Sequence, residues 1–296
     1  MNLLTLQFLA ALGWGVLVTP LSISLARRFR VLDAPGDRKI HSGIVPRGAG
    51  IVVWLGYLLW VLLSGWSLPS TRLIAIGGTL VFLVGYVDDM KQTSPFARLA
   101  FHGIAAMIVI LPLPLGSLEK ALLVFWIAGC TNAYNLIDGM DGLCLSLSIV
   151  TAGILSVFGD IALWLPLAGL CSGILVWNFP SPRARTFLGD GGSTLLGFLC
   201  ASQMATSLHF ASLDPLRMIP VLALLGGLPV FDTLVAVGRR LVGGRSPFLP
   251  DRGHIHHRLL DRSFPVTAII VTMGSMHLSL LLAGIGMSRF LSAINP

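Results

Sequence analysis

Four short segments concentrate the residues whose types and spacing could do chemistry. Asp88 and Asp89 stand together before Met90. Asn132, Asn135, Asp138 and Asp141 recur at three-residue steps, Asp190 opens Asp190-Gly191-Gly192-Ser193, and His254, His256 and His257 share a stretch with Arg252 and Arg258. Carboxylates and amide carbonyls are hard oxygen ligands of the kind Mg²⁺ or Mn²⁺ takes, beside substrate phosphates and retained waters. A diphosphate needs such an ion where charge grows on a leaving oxygen. Steps of three residues along a helix drift by about 60° each, so the stripe Asn132, Asn135, Asp138 still faces one site. Gly139 and Gly142 let the chain turn and bring backbone amides close to phosphate. Asp190 reads as the start of a helix, where free amides and the dipole favour phosphate; a plain capping Asp is the competing reading. The histidine and arginine stretch reads as a pocket for a diphosphate or lipid phosphate. Zinc is a rival there without a nearby Cys to complete its ligands, and a solvated loop is the simpler alternative.

The elements that must position these residues are membrane helices. The chain of 296 residues is 55% hydrophobic and 11% charged, with mean hydropathy +0.85. A soluble domain carries about 25% charged residues, and one core could not hide so much apolar surface. A span needs about 20 mostly apolar residues. Ten segments qualify, at roughly 3–25, 49–68, 71–87, 99–117, 120–137, 142–159, 161–178, 189–208, 217–237 and 264–287. The expected architecture is therefore all-α, a polytopic integral membrane protein of about ten transmembrane helices in a single domain. The first segment reads as a retained span, since no basic region or cleavage pattern precedes Arg27. Cys130, Cys144, Cys171 and Cys200 lie in apolar runs without a CxxC and read as packing residues.

Charge orients the spans. Sixteen of the 20 Lys and Arg residues fall in the loops at about 26–48, 88–98, 179–188 and 238–263, and four (Arg72, Lys120, Arg217, Arg289) fall on the other side. The positive-inside rule makes the basic loops cytoplasmic and both termini periplasmic. A turn at about 138–142 joins the cytoplasmic set. Every polar cluster then lands at that one face, and acids at membrane depth mark functional sites by default. The net charge of +7 reads as this topology and not as nucleic-acid binding, for which no basic soluble domain exists.

At these residues the sequence closely resembles the polyprenyl-phosphate N-acetylhexosamine-1-phosphate transferases, glycosyltransferase family 4. The shared features run in order: Asp33-Ala34-Pro35-Gly36-Asp37-Arg38-Lys39-Ile40-His41 with Pro46-Arg47-Gly48, then Asp88-Asp89, residues 132–143, Phe187 to Ser193, Asp232, and His254 to Arg258. The resemblance implies Mg²⁺-dependent transfer from a UDP-N-acetylhexosamine to undecaprenyl phosphate, with release of UMP, in a bacterial inner membrane. It implies Asp190 as the principal metal ligand with Asn135 close to the ion, and Asp88 as the base for the lipid phosphate. Asp89, Asp138, Asp141, His254, His256 and His257 join the catalytic set. Phe187 would stack on uracil, Asp141 would hydrogen-bond the base, and Asn178 and Asn132 would help bind the nucleotide. The three histidines and Arg258 would hold diphosphate, and Lys39 and His41 the phosphate region. His254-Ile255-His256-His257-Arg258-Leu259 resembles the branch that starts O-antigen and related glycans more than phospho-MurNAc-pentapeptide translocase, which has three adjacent His.

Two other classes compete. A transporter predicts polar residues at the bilayer midplane and inverted repeats, and the acids here lie at one face with no repeat. Asp232 is the exception, a turn or two inside the ninth span, and its alternative reading is a pairing with Arg239 or Arg240 that holds the cytoplasmic loop. A lipid phosphatase would not need Phe187. Direct attack by the lipid phosphate and a covalent Asp intermediate both remain open, as does the oligomeric state, a homodimer included.

Overall fold

The computed structural model describes residues 2–34, 43–65, 69–179, 183–208, 213–246 and 253–294. The apolar runs form helices whose ends are set by local chemistry. Helix α1 (Leu3–Arg28) starts where the Asn2 side chain accepts the Thr5 amide. Helix α4 (Pro95–Ile110) has Pro at its first position after Ser94. Asp160 caps α7 (Ile161–Asn178), and Asp214 caps α9 (Pro215–Leu225) by accepting two first-turn amides. Such oxygens satisfy donors that a helix start leaves without partners. Between α1 and α4 lie α2 (Ala49–Trp60), which runs on as a π-helical turn over Val61–Gly65, and α3 (Pro69–Met90). Helices α5 (Ser117–Ile137), α6 (Leu143–Phe158), α8 (Gly189–Ser207), α10 (Gly227–Val242), α11 (Ile255–Leu260) and α12 (Val266–Ala293) complete the set.

Among the described residues four helices, α1, α3, α7 and α12, are long and apolar enough to cross a membrane, and the bent pair α9–α10 makes a fifth if counted as one span. Helices α2, α4 and α6 are apolar but shorter. The molecule is a mostly helical membrane protein, and Leu17, Phe125 and Val157 on its outer surface meet lipid as solvent. Helix α8 takes the centre. Its residues Gly191–Ala205 are all buried, and α2, α3, α4, α5 and α6 pack around it. With no lipid-facing side, it accommodates Ser193, Thr194, Ser202 and Gln203 among its apolar residues.

Three features depart from the expected layout. The chain is not purely helical: β1 (Leu32–Asp33) and β2 (Val45–Pro46) pair antiparallel, with Leu32 opposite Pro46. Arg47, next in line, makes a parallel bridge to Phe187, so this short ribbon ties the α1–α2 connection to the start of α8. Helix α3 continues through Asp88 and Asp89 to Met90, which places both acids in its last turn and not in the following loop. The segment read as one ninth span breaks at Gly226–Gly227, where α9 and α10 diverge by 101°. All four cysteines are free and buried, as packing residues are.

The α2–α8 contact sets how deep the start of α8 sits. A Cβ on Gly192 would lie 2.6 Å from Gly50 Cα, and one on Gly50 would lie 2.6 Å from the Leu188 carbonyl oxygen, so the two backbones touch. Real Cβ atoms essentially never come so close, and backbone cannot swing aside as a side chain can. Gly50→Ala is therefore expected to lower the thermal stability and monodisperse yield of the detergent-purified protein, whereas Gly103→Ala, with nothing within 4 Å of the new methyl, is expected to match wild type. Equal melting of both variants would show that this contact can relax.

Candidate active site

At one end of the bundle the loops after α5 and α7, the start of α8 and the β2–α2 junction enclose a cavity of about 230 Å³. Its walls include Asp33, Arg47, Asn135, Asp138, Asp141, Asn178, Phe187, Asp190 and His257. Four of these are carboxylates and one is a guanidinium.

Asp89 organises the junction. From the end of α3, its Oδ1 accepts the Asp190 amide at 3.0 Å and its Oδ2 accepts the Gly191 amide at 3.1 Å, so a carboxylate from one helix caps another. A negative group at a helix start also meets the positive end of the dipole. Gly189 (φ +70°) opens α8 against this carboxylate; a Cβ there would come within 2.5 Å of Asp89 Oδ2. Oδ1 of Asp89 also receives Arg47 Nη1 at 2.7 Å, and Arg47 Nη2 pairs with Asp33. Burial alone would lower the Arg47 pKa, but the charges of Asp89 and Asp33 outweigh it and raise it, so the guanidinium stays charged. Asp89 was expected among the catalytic residues. Both its oxygens are engaged and its side chain is 3% exposed, and these contacts hold the start of α8 in place.

A second guanidinium links the other acids. Arg98 Nη1 donates to Asp88 Oδ2 at 2.5 Å and to Asp190 Oδ2 at 3.0 Å. Asp88 also accepts the amide and hydroxyl of Thr93 at 2.6 Å and 2.5 Å. Asp190 further accepts Asn135 Nδ2 at 3.3 Å, while Asn135 Oδ1 accepts the Ser193 hydroxyl at 3.1 Å. Asp88, Asn135 and Asp190 thus share one network, although Asp88 does not line the cavity. Asn178 holds the wall by accepting the Gly142 amide at 3.0 Å and donating to the Thr186 carbonyl at 2.8 Å. Asp141 accepts the Ala184 amide at 3.2 Å.

The remaining expected residues divide. Asn132 is half-buried on α5 but lies off the cavity wall, because the drift that two three-residue steps accumulate carries it past the site. His257 lines the cavity; His254 and His256 stand behind it, their rings stacked at a centroid distance of 5.9 Å. His254 Nδ1 bonds Asp232 Oδ2 at 2.7 Å, and Asp232 Oδ1 accepts the Ile255 amide at 3.0 Å. The expected pairing of Asp232 with Arg239 or Arg240 on its own helix is replaced by this capture of the histidine turn. Arg258 is exposed on α11 and does not line the cavity. Lys39 and His41 lie outside the described residues.

The donor set fits a hard divalent cation. Asp138, Asp141, Asp190 and Asn135 bring oxygen or amide groups to one cavity. Among the described residues no three His, Cys, Asp or Glu side chains gather to cage a metal unaided; Mg²⁺ characteristically takes one or two carboxylates and completes its shell with phosphate and water. Burial first, then the charges of Asp190, Asp89 and Asp141, push the Asp138 pKa well above the ordinary carboxylate range.

Residues 71–208 match glycosyl transferase family 4. The chain is 33% identical to a protein of Bacillus subtilis (strain 168) named probable undecaprenyl-phosphate N-acetylglucosaminyl 1-phosphate transferase, over 87% of this chain and 77% of the relative. The chain belongs to glycosyl transferase family 4. Within the family it is also 32% identical to an undecaprenyl-phosphate alpha-N-acetylglucosaminyl 1-phosphate transferase of Salmonella typhi, over 95% of this chain and 83% of that one. A decaprenyl-phosphate N-acetylglucosaminephosphotransferase of Mycolicibacterium smegmatis is 30% identical over 80% and 70%. These relatives agree with the branch resemblance read from the His-Ile-His-His stretch. The family segment 71–208 contains Arg98, which the sequence offers only as a basic-loop residue, but not Arg47, which the resemblance includes in Pro46-Arg47-Gly48 without a role.

Two outcomes follow from this geometry. Asp89→Ala removes a partly buried ion pair and the cap of α8 together; the cap alone is worth about 1 kcal/mol, and loss of one partner of a fully buried pair sets an upper range of about 3–5 kcal/mol. A clear drop in the detergent melting temperature is expected, and a wild-type melt would remove Asp89 from the organising role. His256 is fully buried, and burial, with His257 and His254 beside it, lowers its pKa to about 3. The unfolded ring takes a proton below about 6.5 while the folded one stays neutral, so this residue's contribution to stability falls as pH drops from 6.5 towards 3. The melting temperature of wild type is expected to fall more steeply between pH 7 and 4 than that of His256→Asn; parallel curves would contradict it.

Proposed function

We propose that this protein transfers an N-acetylhexosamine-1-phosphate from a UDP-sugar to a polyprenyl phosphate, releasing UMP and leaving a polyprenyl-diphospho-sugar. The observation that carries the reading is the cavity whose wall holds Asp138, Asp141, Asp190, Asn135 and Phe187 together. The names of the relatives support the acceptor and the N-acetylglucosamine-1-phosphate group. Phosphoryl transfer of this kind asks a protein for positioning and charge neutralisation more than for covalent chemistry.

Asp190, with Asp138, Asp141 and Asn135 as the other candidate ligands, would hold Mg²⁺. When bound, that ion neutralises diphosphate charge. The aromatic ring of Phe187 stacks on uracil, and Asp141 orients the base. His257 meets the phosphates, with His254 and His256 fixing the turn that carries it. Arg98 holds Asp88 beside Asp190. In the transfer itself an oxygen of the lipid phosphate forms a bond to the sugar-bearing phosphorus. The bond from that phosphorus to the bridging oxygen breaks, and UMP leaves with the electron pair. Asp88 takes any proton still on the attacking phosphate.

The orientation that the basic loops support puts this site at the cytoplasmic face of a bacterial inner membrane, with about ten spans and both termini periplasmic. The product is the first lipid-linked intermediate of a surface glycan such as O-antigen.

The test is release of UMP from UDP-GlcNAc by purified protein, which is expected to need both polyprenyl phosphate and a divalent cation. Asp190→Ala is expected to lose about 100-fold or more, as when one transition-state electrostatic group is removed, while remaining monodisperse. Activity retained in that variant, or UMP release without lipid, would refute the assignment. Exchange of labelled UMP into UDP-GlcNAc without acceptor would replace direct attack with a covalent step.

A further inference from the structure

A second polar chain lies outside the site and joins four helices. His277 in α12 is fully buried. Its Nδ1 accepts the Leu228 amide of α10 at 3.1 Å, and its Nε2 stands 2.8 Å from the Thr151 hydroxyl of α6. Thr151 in turn meets the Tyr134 hydroxyl of α5 at 3.2 Å. An amide N–H can only donate, so Nδ1 carries the lone pair; the ring proton is on Nε2, which donates to Thr151.

The ring sits in the elbow of the broken span. Gly227 has φ +62°, and a Cβ there would lie 2.3 Å from His277 Cε1 and Nδ1. The first amides of a helix have no partner within it, and at membrane depth each unsatisfied one costs several kcal/mol. A 101° break exposes such amides in mid-chain, and His277 supplies the acceptor for one of them. A histidine that only filled the core would not spend a ring nitrogen on the start of a different helix. One turn beyond Leu228, the same helix carries Asp232, 2% exposed, which holds His254 and the Ile255 amide. The angle of the elbow therefore decides where the histidine turn stands, and His257 of that turn lines the cavity.

We propose that His277 is a positioning residue for the transfer reaction: it fixes the α9–α10 elbow so that Asp232 holds the His254–His257 turn against the cavity. The turnover arm of the test rests on the proposed function; the geometric arm does not. Spin labels on Leu216→Cys and Val242→Cys, at positions 79% and 92% exposed on α9 and α10, report the elbow. Wild type is expected to give one narrow distance distribution. His277→Leu is expected to broaden it towards longer distances, and His277→Asn, whose Oδ1 can accept the Leu228 amide, to restore it. In turnover, His277→Leu is expected to lower kcat roughly 10- to 100-fold, as remote misplacement does, with KM for UDP-GlcNAc within about twofold. In an Asp232→Asn background the same change is expected to add no further loss, because both act through one turn. An unchanged distance distribution in His277→Leu, or losses that add across the two positions, would overturn the proposal. If His277→Leu does not insert, Thr151→Val removes the far anchor and is expected to shift the distances in the same direction; no shift there overturns it equally. An inactive wild type with the expected distances would refute the function and leave the elbow assignment standing.

Discussion

The carboxylate of Asp89 is the constraint on which the site depends. It ends one helix, starts another and neutralises Arg47, all at 3% exposure. Two amides of a partly buried helix start and a half-buried guanidinium would otherwise lose a shared partner, which is costly where water is scarce. Because Arg47 also reaches Asp33, the same carboxylate fixes the short ribbon beside α8. The geometry of Asp190 follows from it: an acid at the first turn of a helix points where its backbone points, and Asp89 sets that backbone.

The second constraint is electrostatic. The described wall of the cavity has four carboxylates against one guanidinium, an arrangement that repels the anions the family handles. The fold interposes cations between some of these acids and their neighbours, Arg47 between Asp33 and Asp89, and Arg98 between Asp190 and Asp88. The crowding is expressed at Asp138, whose pKa is pushed well above the ordinary carboxylate range by burial and then by the charges of Asp190, Asp89 and Asp141.

Much of this was legible in the sequence because hydrophobic surroundings make polar residues conspicuous. Asn135, Asp138, Asp141, Phe187, Asp190 and His257 stand out at the ends of apolar runs, and the fold brings them to one cavity. Asp89 was visible but its task was not, since a capping partner in another helix leaves no local spacing to read. Arg98 stood only in the count of basic loops and Arg47 only in a motif without a role; a basic residue's sequence position shows which side of a membrane it prefers and not which acid it meets. The ribbon at 32–46 has two-residue strands, too short for any alternation to show. The elbow in the ninth segment did leave a trace, the Gly226–Gly227 pair, but hydropathy averages over such a pair. Asp232 finds His254, 22 positions away, in preference to arginines on its own helix, because the elbow turns its face towards α11.

Helix α8 has neighbours on every side, so it behaves as a fixed post. Moving substrate from one leaflet to the other by rocking half a bundle against the remainder would require that post to part from several packed helices at once. The architecture favours chemistry at a stationary mouth, where the substrates come to a site that does not move.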